Sequence, residues 1–136
     1  TIHGGSMQLY VRRRKPVLEN FVQQAANIRV NLVEYLEKQK GKRIVAFGAA
    51  AKGITLLNYC KLDNTIIEYI ADGTKYKQGK YAPGVNIPIF PEEELLKRPP
   101  DILLILAWNF QEEIIEKLKD RNYTFVVPIP TVQIIQ

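Results

Sequence analysis

Cysteine, histidine, tryptophan and methionine each occur once in the 136 residues, and no apolar run comes near the roughly 18 residues of a membrane span. The lone thiol, Cys60, excludes an internal disulfide framework and by itself makes no zinc site. That fits a reducing setting, and a cytoplasmic location is expected. No secretory leader is expected. With His3 the only histidine, no metal-ligand cluster and no nucleophile–base pair is evident. A convincing carboxylate dyad is also missing, since Glu92 to Glu94 are explained as a helix start. The chain opens without methionine at Thr1-Ile2-His3-Gly4-Gly5-Ser6 and is expected to be a fragment of something longer.

What is present suits one domain. A hydrophobic content of 46% supports an ordinary core at this length. Nineteen basic residues against fourteen acidic ones leave a net charge of +5. The excess falls in short clusters: Arg12 to Lys15, Lys38 to Arg43, Lys75 to Lys80 and Lys117 to Arg121. Such clusters are commonly solvated helix ends and loops. A nucleic-acid binder would carry a basic stripe interleaved with aromatics on one element, and none is seen. A small ligand bearing phosphate needs only one or two placed cations, with Lys52 and the Lys75 to Lys80 loop as the places to look.

Periodicity gives the organisation. A short extended piece at Met7 to Val11 precedes a junction through residue 14. Leu18, Phe21, Ala25, Ile28, Leu32 and Leu36 then line one face of a long helix, residues 15–41, opened by Pro16 and stopped at Gly41. Residues 42–136 alternate strand and helix. Strands are expected at Arg43 to Phe47, Ile66 to Ala71, Asn86 to Phe90, Asp101 to Trp108 and Thr124 to Val127, with an edge strand at Val132 to Ile135. Helices are expected at Ala50 to Cys60, from Pro91 onward, and at Gln111 to Arg121. Such alternation implies a small Rossmann-like α/β domain, doubly wound around a mainly parallel sheet. Its βα turns then share the carboxyl edge.

Three segments at that edge attract attention. Gly48-Ala49-Ala50-Ala51-Lys52-Gly53 joins a strand to a helix, where small residues and unpaired N–H groups favour a close-lying anion. It is neither the GxGxxG fingerprint, whose central glycine is Ala50 here, nor a Walker loop. Asp72 ends the next strand, where a ribose-binding acid lies in dinucleotide domains. Tight helix–sheet packing explains the alanines equally well. The loop from Asp72 to Gly84 offers Lys77, Gln78 and Tyr81 to phosphate or sugar oxygens, or is simply a solvated Lys-rich loop. Trp108 and Asn109 either line the same crevice or cap the core and the following helix.

These segments also carry a resemblance. His3-Gly4-Gly5-Ser6, Gly48 to Gly53, Lys77-Gln78-Gly79-Lys80-Tyr81-Ala82-Pro83-Gly84 with Ile87-Pro88-Ile89, and Ala107-Trp108-Asn109 occur in this order. Across essentially its whole length, the chain resembles the C-terminal domain of S-adenosylmethionine-dependent C-methyltransferases acting on nucleotide-linked deoxysugars, of the mycarose-type 3-C-methyltransferase kind. The resemblance implies a parent with a structural zinc domain and a middle domain holding S-adenosylmethionine and the catalytic base. This domain would then face the middle one and help hold a nucleotide-sugar, usually a dTDP-linked 4-keto sugar. In such parents carbon 3 is deprotonated beside the ketone, and the enolate attacks the sulfonium methyl. The fragment alone is expected to be inactive, without cofactor, metal, nucleic-acid or membrane partner.

Many relatives read PGTHIPI where this chain has Pro83-Gly84-Val85-Asn86-Ile87-Pro88-Ile89, so no sugar contact through the Thr-His pair carries over. The expected ligand-facing set is His3, Ser6, Ala49, Ala50, Ala51, Lys52, Asp72, Lys77, Gln78, Tyr81, Trp108 and Asn109. Two other readings stand beside it: a nucleotide-cofactor domain of an oxidoreductase, and a non-catalytic interaction or scaffold domain.

Overall fold

Parallel strands need crossovers, and this chain supplies them. The structure, a computed structural model, describes residues 15–136, with side chains from Glu19 onward. The Met7 to Val11 piece, the 1–14 junction, His3 and Ser6 lie outside the described residues. A leading helix, α1 (Lys15–Glu37), ends in turns that bring Gly41 (φ +88°) before β1 (Ile44–Phe47). Then come α2 (Ala51–Cys60), β2 (Ile70–Ala71), β3 (Ile89–Phe90), α3 (Glu94–Lys97) and β4 (Ile102–Ile105). A 3₁₀ turn at Trp108–Phe110 leads into α4 (Gln111–Leu118), and β5 (Thr124–Val127) and β6 (Gln133–Ile135) close the chain.

The six strands form one sheet in the order β3-β2-β1-β4-β5-β6, parallel throughout except for the antiparallel β6. This is the doubly wound α/β arrangement that alternation predicts. Side-chain parity sorts the two faces. Ile44, Ala46, Ile102, Leu104 and Val126 pack against Leu32 and Leu36 of α1 and Leu56, Leu57 and Cys60 of α2. Val45, Phe47, Leu103, Ile105, Phe125 and Val127 pack against Leu95 of α3 and Ile114 and Leu118 of α4. Strands β1 and β4 are buried at every residue, so they read as unbroken apolar runs.

Three strands are markedly shorter than their composition predicts, among them β3, which begins at Ile89 where Asn86 was expected. Expected from Ile66, β2 begins at Ile70, because Ile66 and Ile67 both donate to the Asp63 carbonyl in a turn. Expected to reach Trp108, β4 ends at Ile105, and the chain then tightens into the 3₁₀ turn. At β2 and β4 local hydrogen bonds outcompete β propensity. At the divergent Val85-Asn86 pair, Val85 is buried among core residues and Asn86 takes a left-handed turn position (φ +54°). That pair therefore serves packing and a turn.

Candidate functional site

Sheet order places the site. The winding order reverses between the neighbouring parallel strands β1 and β4, whose carboxyl ends open onto a crevice. Gly48 makes the first turn with φ +85°, and a Cβ there would meet the Ala107 Cβ at 2.8 Å. Gly53 lets α2 lie against the end of β4, where a Cβ would meet the Leu106 Cβ at 2.5 Å. Two glycine roles of a dinucleotide turn, the tight bend and the close helix–strand packing, are thus retained. The third, close backbone approach by a pyrophosphate, falls at Ala50.

Hydrogen bonding divides this turn in two. The Ala49 N–H donates to Asp72 Oδ2 at 2.6 Å, and the Ala50 N–H donates to the Gly48 carbonyl at 2.8 Å. Both are therefore engaged inside the chain, and the expected use of these two N–H groups toward a ligand does not match the geometry. The N–H groups of Ala51, Lys52 and Gly53, in the first turn of α2, have no acceptor among the described residues.

Asp72 is likewise turned inward. Its Oδ1 accepts the Thr74 N–H at 2.7 Å, and the Lys77 ammonium lies 3.5 Å from Oδ2. Burial pushes this carboxyl upward, but the bonds from Thr74 and Ala49 and the charge of Lys77 outweigh it and hold it below the usual aspartate range. Lys77 also donates to the Ala49 carbonyl at 2.9 Å, and the Gln78 amide donates to the Asp72 carbonyl at 2.9 Å. Lys77 and Gln78, expected to reach toward a ligand, are spent tying their loop to the turn.

The remaining charge stands on the other side. Lys52 makes no ion pair among the described residues, and its ammonium sits 4.7 Å from the centre of the Trp108 ring. A cation over an indole face keeps its charge while losing little freedom to a second partner. Trp108 is half-buried and touches both core layers, so it caps the core and forms a wall of the crevice. Asn109 is exposed beside it and does not cap α4, whose N-cap is Phe110 without a side-chain bond. Tyr81 is exposed and pairs with Pro88, on the amino side of β3, away from the Gly48 turn. Pro83, just beyond, accepts from Asn58 well along α2.

The structure thus gathers Ala51, Lys52, Trp108 and Asn109 at the β1–β4 crevice, and Ala49, Asp72, Lys77 and Gln78 in a closed cluster beside it. Tyr81 belongs to neither. The expected ligand-facing set left out Gly53 and Thr74, although both lie in the singled-out segments. A glycine on the inner face of α2 was the available signal for the first, and the Asp72-Gly73-Thr74 turn, whose aspartate accepts from the N–H two residues on, was the signal for the second. Among the described residues no three metal-ligating side chains come together.

Residues 14–130 match the family model described as the C-methyltransferase C-terminal domain. The chain belongs to that family. It is also 41% identical over 98 residues to C-methyltransferase NovU of Streptomyces niveus, a match covering 70% of this chain and 23% of that protein. The chain therefore spans under a quarter of the length of the relative it matches. Within this C-terminal domain no described helix is long and apolar enough to cross a membrane.

Proposed function

We propose that this domain positions the substrate of a parent S-adenosylmethionine-dependent C-methyltransferase that methylates carbon 3 of a nucleotide-linked 4-keto deoxysugar. Family membership supports methyl transfer to carbon by the parent, and the β1–β4 crevice supports the role of this piece. One observation carries the reading. Lys52, without a carboxylate partner and poised over Trp108, stands beside three open N–H groups at the start of α2. A diphosphate bridging these groups would gain charge-assisted bonds, while the Trp108 face and the Asn109 amide border the attached base or sugar.

The described residues do not fit the parent's other groups. Zinc finds no ligand cluster here. The acid that would hold the ribose of S-adenosylmethionine or NAD is consumed by Ala49 and Thr74. In this reading the cofactor, the metal and the base that removes the proton beside the ketone belong to the part of the parent outside this chain. This domain's share is binding and orientation.

Calorimetric titration with dTDP tests it, using this chain, its Lys52→Ala variant and NAD as control. Loss of a charged phosphate contact costs about 1.5–3 kcal/mol, so affinity should fall roughly ten- to a hundredfold in the variant. NAD should give no heat. Equal dTDP binding by both proteins, or binding of NAD in preference, would overturn the proposal. A scaffolding share is favoured separately by Phe21 and Val22 of α1, which stand 67% and 61% exposed.

A further inference from the structure

We infer that Asp72 is a built-in anion: its carboxylate fills the donor site at the β1–α2 turn that a ligand's phosphate or ribose fills in dinucleotide-binding sheets of this order, and so confines any anionic ligand to the β4 side of the crevice. Among the described residues Asp72 is the only buried charged group, at 6% exposure. Three donors from two segments converge on it: the Ala49 N–H of the β1–α2 turn, and the Thr74 N–H and Lys77 ammonium of the loop after β2. The arrangement is that of an anion-binding site, two N–H groups and an ammonium, with its anion covalently supplied.

Consequences follow on both sides of the turn. Both carboxylate oxygens accept within the chain and the group is buried, which turns Asp72 away from a ribose hydroxyl. The Ala49 and Ala50 N–H groups are closed to phosphate, and Lys77 and Gln78 cover the same side. Donors toward β4 stay open: the N–H groups of Ala51, Lys52 and Gly53, and the Lys52 ammonium over Trp108. The same carboxylate also latches the Lys77–Gly84 loop. Gly79 then donates to Ile89 and Ile89 to Lys80, which zips the loop along β3. Confinement of the ligand to the β4 side rests on the nucleotide-sugar reading above; occupation of the donor site by Asp72 stands on geometry alone.

Formate rescue is the test. Asp72→Ala removes the carboxylate and leaves Ala49, Thr74 and Lys77 facing a volume that suits formate. The variant should melt on the order of 5–10 °C below the parent chain, given the loss of charge-assisted bonds. Formate should restore much of that loss in Asp72→Ala and leave the unmutated chain unmoved, with chloride at equal ionic strength as control. Asp72→Asn, which keeps the shape without the charge, provides a second measurement if the alanine variant does not fold. Amide exchange at Gly79 and Lys80 should quicken in it, while Leu106, bonded to Phe47 beyond the latch, stays slow.

An unchanged melting point in Asp72→Ala, an equal formate effect on both proteins, or unaltered loop exchange in Asp72→Asn would overturn the inference. Formate rescue without dTDP binding would sink the nucleotide reading and keep the built-in anion. A Lys52-dependent dTDP response without rescue would do the reverse.

Discussion

Gly53 shows how much one missing side chain decides. It lies on the inner face of α2, buried against the end of β4, and a Cβ would come within 3.1 Å of the Leu106 carbonyl oxygen as well as striking its Cβ. Backbone cannot step aside as a flexible side chain does. Gly53→Ala should therefore cost about 1–3 kcal/mol by overpacking, despite the better helix propensity of alanine, and chemical denaturation measures it. If the variant were as stable as the parent chain, α2 would be free to shift away from β4 and the crevice would not be rigid. The same scale governs Lys52 and Asp72. Both were legible as charged residues at a sheet edge, yet only coordinates show that one is left to the crevice while the other is consumed by its neighbours. The Thr74 bond is a local turn two residues along, but Ala49, 23 residues before Asp72, leaves no local signature.

Helix α1 is longer than what it packs on. Its 23 residues span roughly 35 Å, whereas the 10 residues of α2 span roughly 15 Å. The apolar stripe read from Leu18 to Leu36 is continuous in sequence, but its burial is not. Leu32 and Leu36 are covered by the sheet, Ile28 is half-buried, and the largely exposed Phe21 lines, with Ala25, Leu56, Tyr59 and Ile129, an apolar groove of about 250 Å³. Leu36→Ala should cost about 2–5 kcal/mol, while Phe21→Ala should stay within about 0.5 kcal/mol in this chain. Thermal or denaturant unfolding of the two variants separates them. A large cost at Phe21 would mean that the first half of the helix is packed in solution. Period alone identifies a face that prefers to be covered; it does not say what covers it.

At the scale of the molecule, stability should centre on the middle of the sheet. Strands β1 and β4 are fully buried, flanked by strands on both sides and covered on both faces. Their amides, from Ile44 to Phe47 and Ile102 to Ile105, should exchange slowest, and those around Phe21 among the fastest described. Slow exchange centred on α1 would reverse this picture. The sheet's central position was legible from two unbroken apolar runs, Ile44 to Phe47 and Ile102 to Leu106, since only a strand covered on both faces tolerates such a run. Its edge was less legible, because β2 and β3 pair over two residues each and their limits are set by turns at Asp63 and the Lys77–Gly84 loop.

Alternating periods, glycine at the first βα turn and the order of the Gly48–Gly53, Lys77–Gly84 and Ala107–Asn109 segments determined the architecture and the family from sequence alone. Burial periodicity and turn chemistry are local properties, and local properties survive in one dimension. Only the tertiary structure decided which donors stay open. Hydrogen bonds between the β1–α2 turn, the end of β2 and the loop beyond it depend on strand order and loop path, and these bring Ala49, Asp72 and Lys77 together while holding Lys52 against Trp108 on the opposite side of the crevice.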